Sequence, residues 1–130
     1  MGKYLGLFVS EAGDHLNGLS EDLVRLERAS RQGEDLSLIV DSMFRHAHSV
    51  KGMAGSMQFD GIASLAHKAE DLLGALRHHA GSISSELVDL LLVTVDGLMA
   101  MVESAAEGPP PPPEPLLAER LARAVAALRQ

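Results

Sequence analysis

The chain has no cysteine and no tryptophan, and aromatic side chains make up only 3% of its 130 residues, one Tyr and three Phe. Without thiols there are no disulfides, zinc–thiolate sites or thiol nucleophiles, which fits a reducing compartment. Positive charge is also scarce: 11 Lys and Arg stand against 18 Asp and Glu, a formal net charge of −7. That balance, with so few rings, offers neither the basic footprint nor the stacking surfaces of nucleic-acid binding. No apolar run approaches the roughly 18 residues of a membrane span. Gly2, Gly6, Glu11 and Asp14 interrupt the start of the chain, so no signal peptide is read there. The expected setting is cytoplasmic, with no nucleic-acid partner and no membrane insertion.

What remains is a 46% hydrophobic, 22% charged sequence, an ordinary globular composition with enough chain for one modest core. Its abundant Leu and Ala favour helices over sheets. Four segments carry helical periodicity. The first runs through Leu5, Phe8, Val9, Ala12, Leu16, Leu19, Leu23 and Leu26 and ends before Gly33. The second alternates four- and three-residue steps through Leu36, Val40, Met43, Ala47, Val50, Ala54 and Met57. The third follows Asp60 as N-cap, presents Ile62, Leu65, Ala66, Ala69, Leu72, Leu73 and Leu76, and ends at Gly81. The fourth starts near Ser84, has Glu86 in its first turn, and continues through Leu87, Leu90, Leu91, Val95, Leu98 and Val102.

Short connections make neighbouring helices antiparallel, so the expected fold is all-α, an up-down four-helix bundle over residues 1–106. The run Pro109 to Pro113, within a linker at 107–115, predicts a stiff polyproline II spacer reaching roughly 15 Å. Pro115 suits the first position of a last helix over 116–130. The stripe Leu117, Leu121, Ala124, Val125 and Leu128 predicts that this helix packs on the bundle.

On the second helix His48 lies one step off the core stripe through Ala47, on its shoulder, with Phe44, Lys51, Gly52 and Gly55 on the same side. Two glycines inside a helix cost on the order of 2 kcal/mol relative to alanine. A helix that stays bare beside one histidine points to something approaching that histidine closely, so Phe44, Gly52 and Gly55 are candidate partner contacts. On the third helix His67, Glu70 and Gly74 share a shoulder. If the hairpin turns near Phe59, His48 and Glu70 stand equally far from the turn, as do Lys51 and His67, and Phe44 and Gly74. This predicts a polar cluster of His48, Glu70, Lys51 and His67. A carboxylate accepting the Nδ1 proton of His48 fixes the tautomer and leaves the Nε2 lone pair facing solvent as a nucleophile. Lys51 is placed to offset the charge of a phosphoryl group, and His67 to orient Lys51 or Glu70.

The stretch His48-Ser49-Val50-Lys51-Gly52 resembles the histidine–x–x–lysine–glycine signature of histidine phosphotransfer domains, specifically those of the chemotaxis histidine kinase CheA family. Two further segments are similar to that family: Tyr4-Leu5-x-x-Phe8-x-x-Glu11-x-x-x-His15-Leu16 and His67-Lys68-x-Glu70-Asp71-Leu72-Leu73. The likeness covers roughly residues 4 to 104. It implies that a separate ATP-binding kinase domain, on the same or another chain, phosphorylates His48. It further implies onward transfer to an aspartate of a response regulator receiver domain, CheY-like or CheB-like, with Lys51, His67 and Glu70 as the supporting network. No cofactor is then expected on this domain, since ATP and Mg serve the partner domains. Gln58 departs from the small residue often found before the aromatic that matches Phe59.

Competing readings exist. The chain could be a helical interaction module without phosphotransfer, and Gly52 and Gly55 could serve close helix packing. His15, His78 and His79 carry no assigned role. His46 and His48 are two apart on a helix and cannot share a metal. His67 and Glu70 at i, i+3 are half of a di-iron motif, but the inward positions are Leu, Val, Ala and Met, so no metal site is expected. No segment reads as a nucleotide-binding sheet or glycine-rich phosphate loop, which makes the chain a carrier rather than a complete kinase.

Overall fold

The computed structural model describes residues 2–79 and 82–130. Among the described residues the chain forms five helices and no strand: α1 Gly2–Arg31, α2 Ser37–Ser56, α3 Asp60–Arg77, α4 Ser85–Glu107 and α5 Pro115–Leu128. The first four make the expected antiparallel bundle, with α1 against α2 and α4, and α3 joining α2 to α4. The periodic stripes face one core, where Leu16, Leu26, Met43, Ile62, Leu72, Leu73 and Leu98 have no exposed surface. Among the described residues no helix is long and apolar enough to cross a membrane.

Two of the turns end in the same way. After α1, Gly33 takes the left-handed conformation (φ 69°). Its N–H donates to the Ser30 carbonyl at 3.3 Å, and that of Glu34 donates to Ala29 at 2.9 Å. This is the Schellman pattern, which satisfies carbonyls the helix leaves without partners. After α2 the same two bonds run from Gln58 to Gly55 (3.0 Å) and from Phe59 to Ala54 (2.9 Å), with Gln58 at φ 62°. A left-handed residue with a Cβ costs about 1–2 kcal/mol. What the turn gains is Phe59, only 6% exposed and packed edge-on against Phe8, ring centroids 5.2 Å apart.

That turn also displaces the expected cap of the third helix. Phe59, not Asp60, is the N-cap residue; its carbonyl accepts from Ala63 at 3.0 Å, and no side chain caps the helix. Because Phe59 must enter the core, the chain restarts its helix immediately, and Asp60 becomes the first helical residue. There its charge still faces the positive end of the helix dipole. Ser84 does cap α4, its Oγ accepting from the Leu87 N–H at 3.2 Å. Gly81, expected to end the third helix, lies outside the described residues; α3 closes at Arg77.

The proline run is not a free spacer along its whole length. A Cβ on Gly61, a buried residue in the first turn of α3, would stand 2.7 Å from the Pro111 carbonyl oxygen and 3.0 Å from Pro112. The tract therefore lies directly on the backbone of α3, and only a glycine allows that approach. From there α5 turns back along α3 and α4 and buries Leu121 completely.

Candidate functional site

The α2–α3 pairing sets the site. The shoulder beside the core stripe carries His48 of α2 opposite Glu70 of α3, two residues equally distant from Phe59. The His48 Nδ1–H donates to Glu70 Oε2, and Lys51 Nζ donates to Glu70 Oε1 at 2.7 Å. The carboxylate is nearly buried while the His48 side chain is 64% exposed. Burial alone would raise the Glu70 carboxyl, but the hydrogen bonds and charges of Lys51 and His48 outweigh it and hold that group below the ordinary carboxylate range. Glu70 is thus a permanent anion that receives a proton-bearing nitrogen on one oxygen and an ammonium on the other. Nε2, across the imidazole ring, is left as the acceptor nitrogen.

The expected level pairing of Lys51 with His67 is replaced by a different one. Lys51 reaches one turn further to the buried Glu70, where an ion pair is less screened than at the surface. His67, 56% exposed, instead places Nε2 3.6 Å from Asp71 Oδ1 on its own helix. His67, Glu70 and Asp71 bring ligand atoms within 4.8 Å of one another, but both Glu70 oxygens are already engaged. Gly52 and Gly55 are exposed, and among the described residues a Cβ on either would meet nothing within 4 Å. Close helix packing within this chain therefore does not require them. They leave open the surface beyond His48.

Phe44, half-buried, lies beside the imidazole with its ring 8° from parallel and its centroid 6.4 Å away. Two residues that the sequence did not single out complete this side. Arg77 sits with its guanidinium carbon 4.4 Å from the Phe44 centroid and donates from Nε to Asp41 Oδ1 at 2.7 Å. Asp41 and Arg77 also stand equally far from Phe59, so the rule that paired His48 with Glu70 points to them as well.

A second polar cluster joins α1 to α2 on another face. His15 and His46 place their Nδ1 atoms 3.0 Å apart, one donating to the other. Asp22, buried in α1, accepts from Ser42 Oγ at 2.6 Å and Arg25 at 2.9 Å, with His46 Nε2 3.8 Å away. A Cβ on Gly18 would lie 2.6 Å from His46 Nε2, so this glycine makes room for the ring. Neither His15–His46 nor Asp22–Ser42 is level about the turn between α1 and α2, so the equal-distance rule that paired His48 with Glu70 does not point to them.

A family model described as Hpt domain matches residues 3–130. Among curated proteins the chain is similar to the chemotaxis protein CheA of Bacillus subtilis (strain 168), 36% identical over 108 residues that make up 83% of this chain and 16% of that protein. It is also similar to CheA of Halobacterium salinarum, 35% identical over 103 residues, 79% of this chain and 15% of that one. The chain thus spans about a sixth of the length of these relatives. Among solved structures, the phosphorylated P1 domain of CheA3 in complex with CheY6 from R. sphaeroides aligns with a TM-score of 0.81 at 29% identity, covering 98% of this chain and 99% of that one. The CheA phosphotransferase domain from Thermotoga maritima aligns with a TM-score of 0.73 at 33% identity, covering 82% and 98%.

Proposed function

The chain belongs to the Hpt domain family, and from that premise we propose that His48 is its phosphoacceptor in a chemotaxis phosphorelay. The observation that carries the reading is an exposed imidazole fixed through Nδ1 by a buried carboxylate. The tautomer is set and Nε2 presents its lone pair outward. Nε2 attacks the γ-phosphorus of ATP held by a separate kinase domain; a P–N bond forms, the P–O bond to ADP breaks, and ADP leaves. The phosphorylated ring gains positive character, which the Glu70 carboxylate opposite Nδ1 stabilises. Lys51 offsets the negative charge that Glu70 and the phosphoryl group would otherwise bring together.

In the onward step an aspartate oxygen of a receiver domain attacks the phosphorus, the P–N bond breaks, and Nε2 recovers its lone pair. ATP, Mg and the acidic receiver pocket belong to the partners; this chain supplies a positioned nucleophile and leaving group. The related P1 domain of CheA3 is known in complex with CheY6, which supports a receiver docking over the surface left open by Gly52 and Gly55, beside Phe44. A cytoplasmic setting fits these partners.

The test is incubation with ATP and the kinase portion of a CheA-type protein. The chain should take up one acid-labile phosphate, and His48→Gln should take up none; stable labelling of that variant removes the assignment. Glu70→Gln should slow phosphorylation by at least about tenfold, because an amide holds the Nδ1 proton less firmly.

A further inference from the structure

The shoulder that holds His48 continues past it as a ladder of level pairs. His48 faces Glu70, Phe44 faces Gly74, and Asp41 faces Arg77. The rungs follow one another along the shoulder. Arg77 is tied to Asp41 at 2.7 Å and lies over the Phe44 ring, 4.4 Å from its centroid. Phe44 crosses the place where Gly74 has no side chain; a Cβ there would meet the ring edge at 3.5 Å, in ordinary contact. The next planar group along is the His48 imidazole, within 8° of parallel to Phe44.

Among the described residues His48 has one polar anchor, at Nδ1. A single hydrogen bond fixes which nitrogen carries the proton, but it leaves the ring free to rock about the line from Cβ to that bond. Rocking swings Nε2 away from the line along which the phosphoryl group must arrive and leave. A flat neighbour beside the ring limits that motion, provided the neighbour is itself held. Phe44 packs against the core but is only half-buried, so the core does not hold its outer face. The cation on its face does, because the ring quadrupole attracts a guanidinium and Asp41 keeps that guanidinium in place.

We propose that Arg77 is a positioning residue for phosphoryl transfer at His48, acting with Asp41 to fix Phe44 and through Phe44 the plane of the imidazole. The proposal rests on His48 being the phosphoacceptor. Arg77 touches neither the imidazole nor the phosphoryl group; its guanidinium is spent on Asp41 and Phe44, and its influence passes through the ring between. Lys51 and Glu70 set charge and tautomer, whereas Arg77 sets direction.

The test is single-turnover transfer from the phosphorylated chain to a CheY-like receiver domain, with rate and apparent receiver affinity measured separately. Arg77→Ala should lower the rate by about three- to tenfold, with affinity little changed and the fold intact by circular dichroism. Arg77→Lys keeps a cation over the ring and should recover most of the rate. Combined with Phe44→Ala, Arg77→Ala should add nothing further. In NMR spectra of the unphosphorylated chain, Arg77→Ala should weaken the cross-relaxation between the Phe44 and His48 rings. An unchanged rate in Arg77→Ala overturns the proposal, and so does an equal loss with and without Phe44, which would make Arg77 a direct contact of the receiver. Labelling of His48→Gln is a separate failure, of the phosphoacceptor reading itself.

Discussion

Gly52 stands in the middle of α2, exposed, with open space where its side chain would be. An interior glycine is the weakest ordinary helix former after proline, so replacing it with alanine should stabilise the chain by about 1 kcal/mol. That corresponds to a rise in Tm of about 3–6 °C for a chain of this size. The methyl group would also project into the surface proposed for the receiver. Gly52→Ala should therefore melt later and transfer its phosphoryl group more slowly, with autophosphorylation by the kinase domain as a second readout. A stabilised variant that transfers at the unaltered rate would remove Gly52 from the docking surface. Gln58 is the opposite case: a residue with a side chain held left-handed because the turn needs Phe59 inside the core.

At the scale of elements, α1 is bound to α2 by more than apolar packing. The His15 and His46 ring centroids are 5.2 Å apart, nearly the 3.0 Å gap between the nitrogens plus the two ring radii. The Nδ1 atoms thus point almost straight at each other, the geometry of one shared proton. Burial pushes the His46 imidazole below its ordinary range. Asp22 opposes that shift, His15 and Arg45 reinforce it, and Glu21 opposes it. With the folded-state value lowered, the unfolded chain binds the proton more readily. The stabilisation is complete above the unfolded value of about 6.5 and is lost as pH falls through the lower folded value. The chain should lose Tm between pH 7 and pH 5 more steeply than a His46→Asn variant. Parallel melting curves for the two over that range would show that the pair contributes no pH dependence.

Over the whole molecule, the site and the core are supported by different contacts. Leu121 of α5 is fully buried among α3 and α4, whereas His48 lies on the α2–α3 shoulder. Leu121→Ala should cost about 2–5 kcal/mol, visible as a lower denaturation midpoint. Phosphorylation of His48, measured well below that midpoint, should stay close to the unaltered rate. A large loss of activity in a still-folded Leu121→Ala chain would show that α5 supports the site as well as the core.

Helix count, core stripes and the shoulder placement of His48 follow from residue spacing, because a helix of fixed pitch projects side chains in directions that spacing alone determines. The pairing of His48 with Glu70 was legible too, since a short turn between antiparallel helices fixes their register. Tertiary structure decided which partner each long or exposed side chain took. Lys51 went to Glu70 rather than His67, because a flexible ammonium follows the least screened charge within reach. Phe59 displaced Asp60 from the cap, because burying a ring outweighed a capping bond. The proline tract settled on Gly61, a contact between segments far apart in sequence that no local pattern encodes. The sequence thus determined where the His48 imidazole stands, and the packed structure decided what holds it.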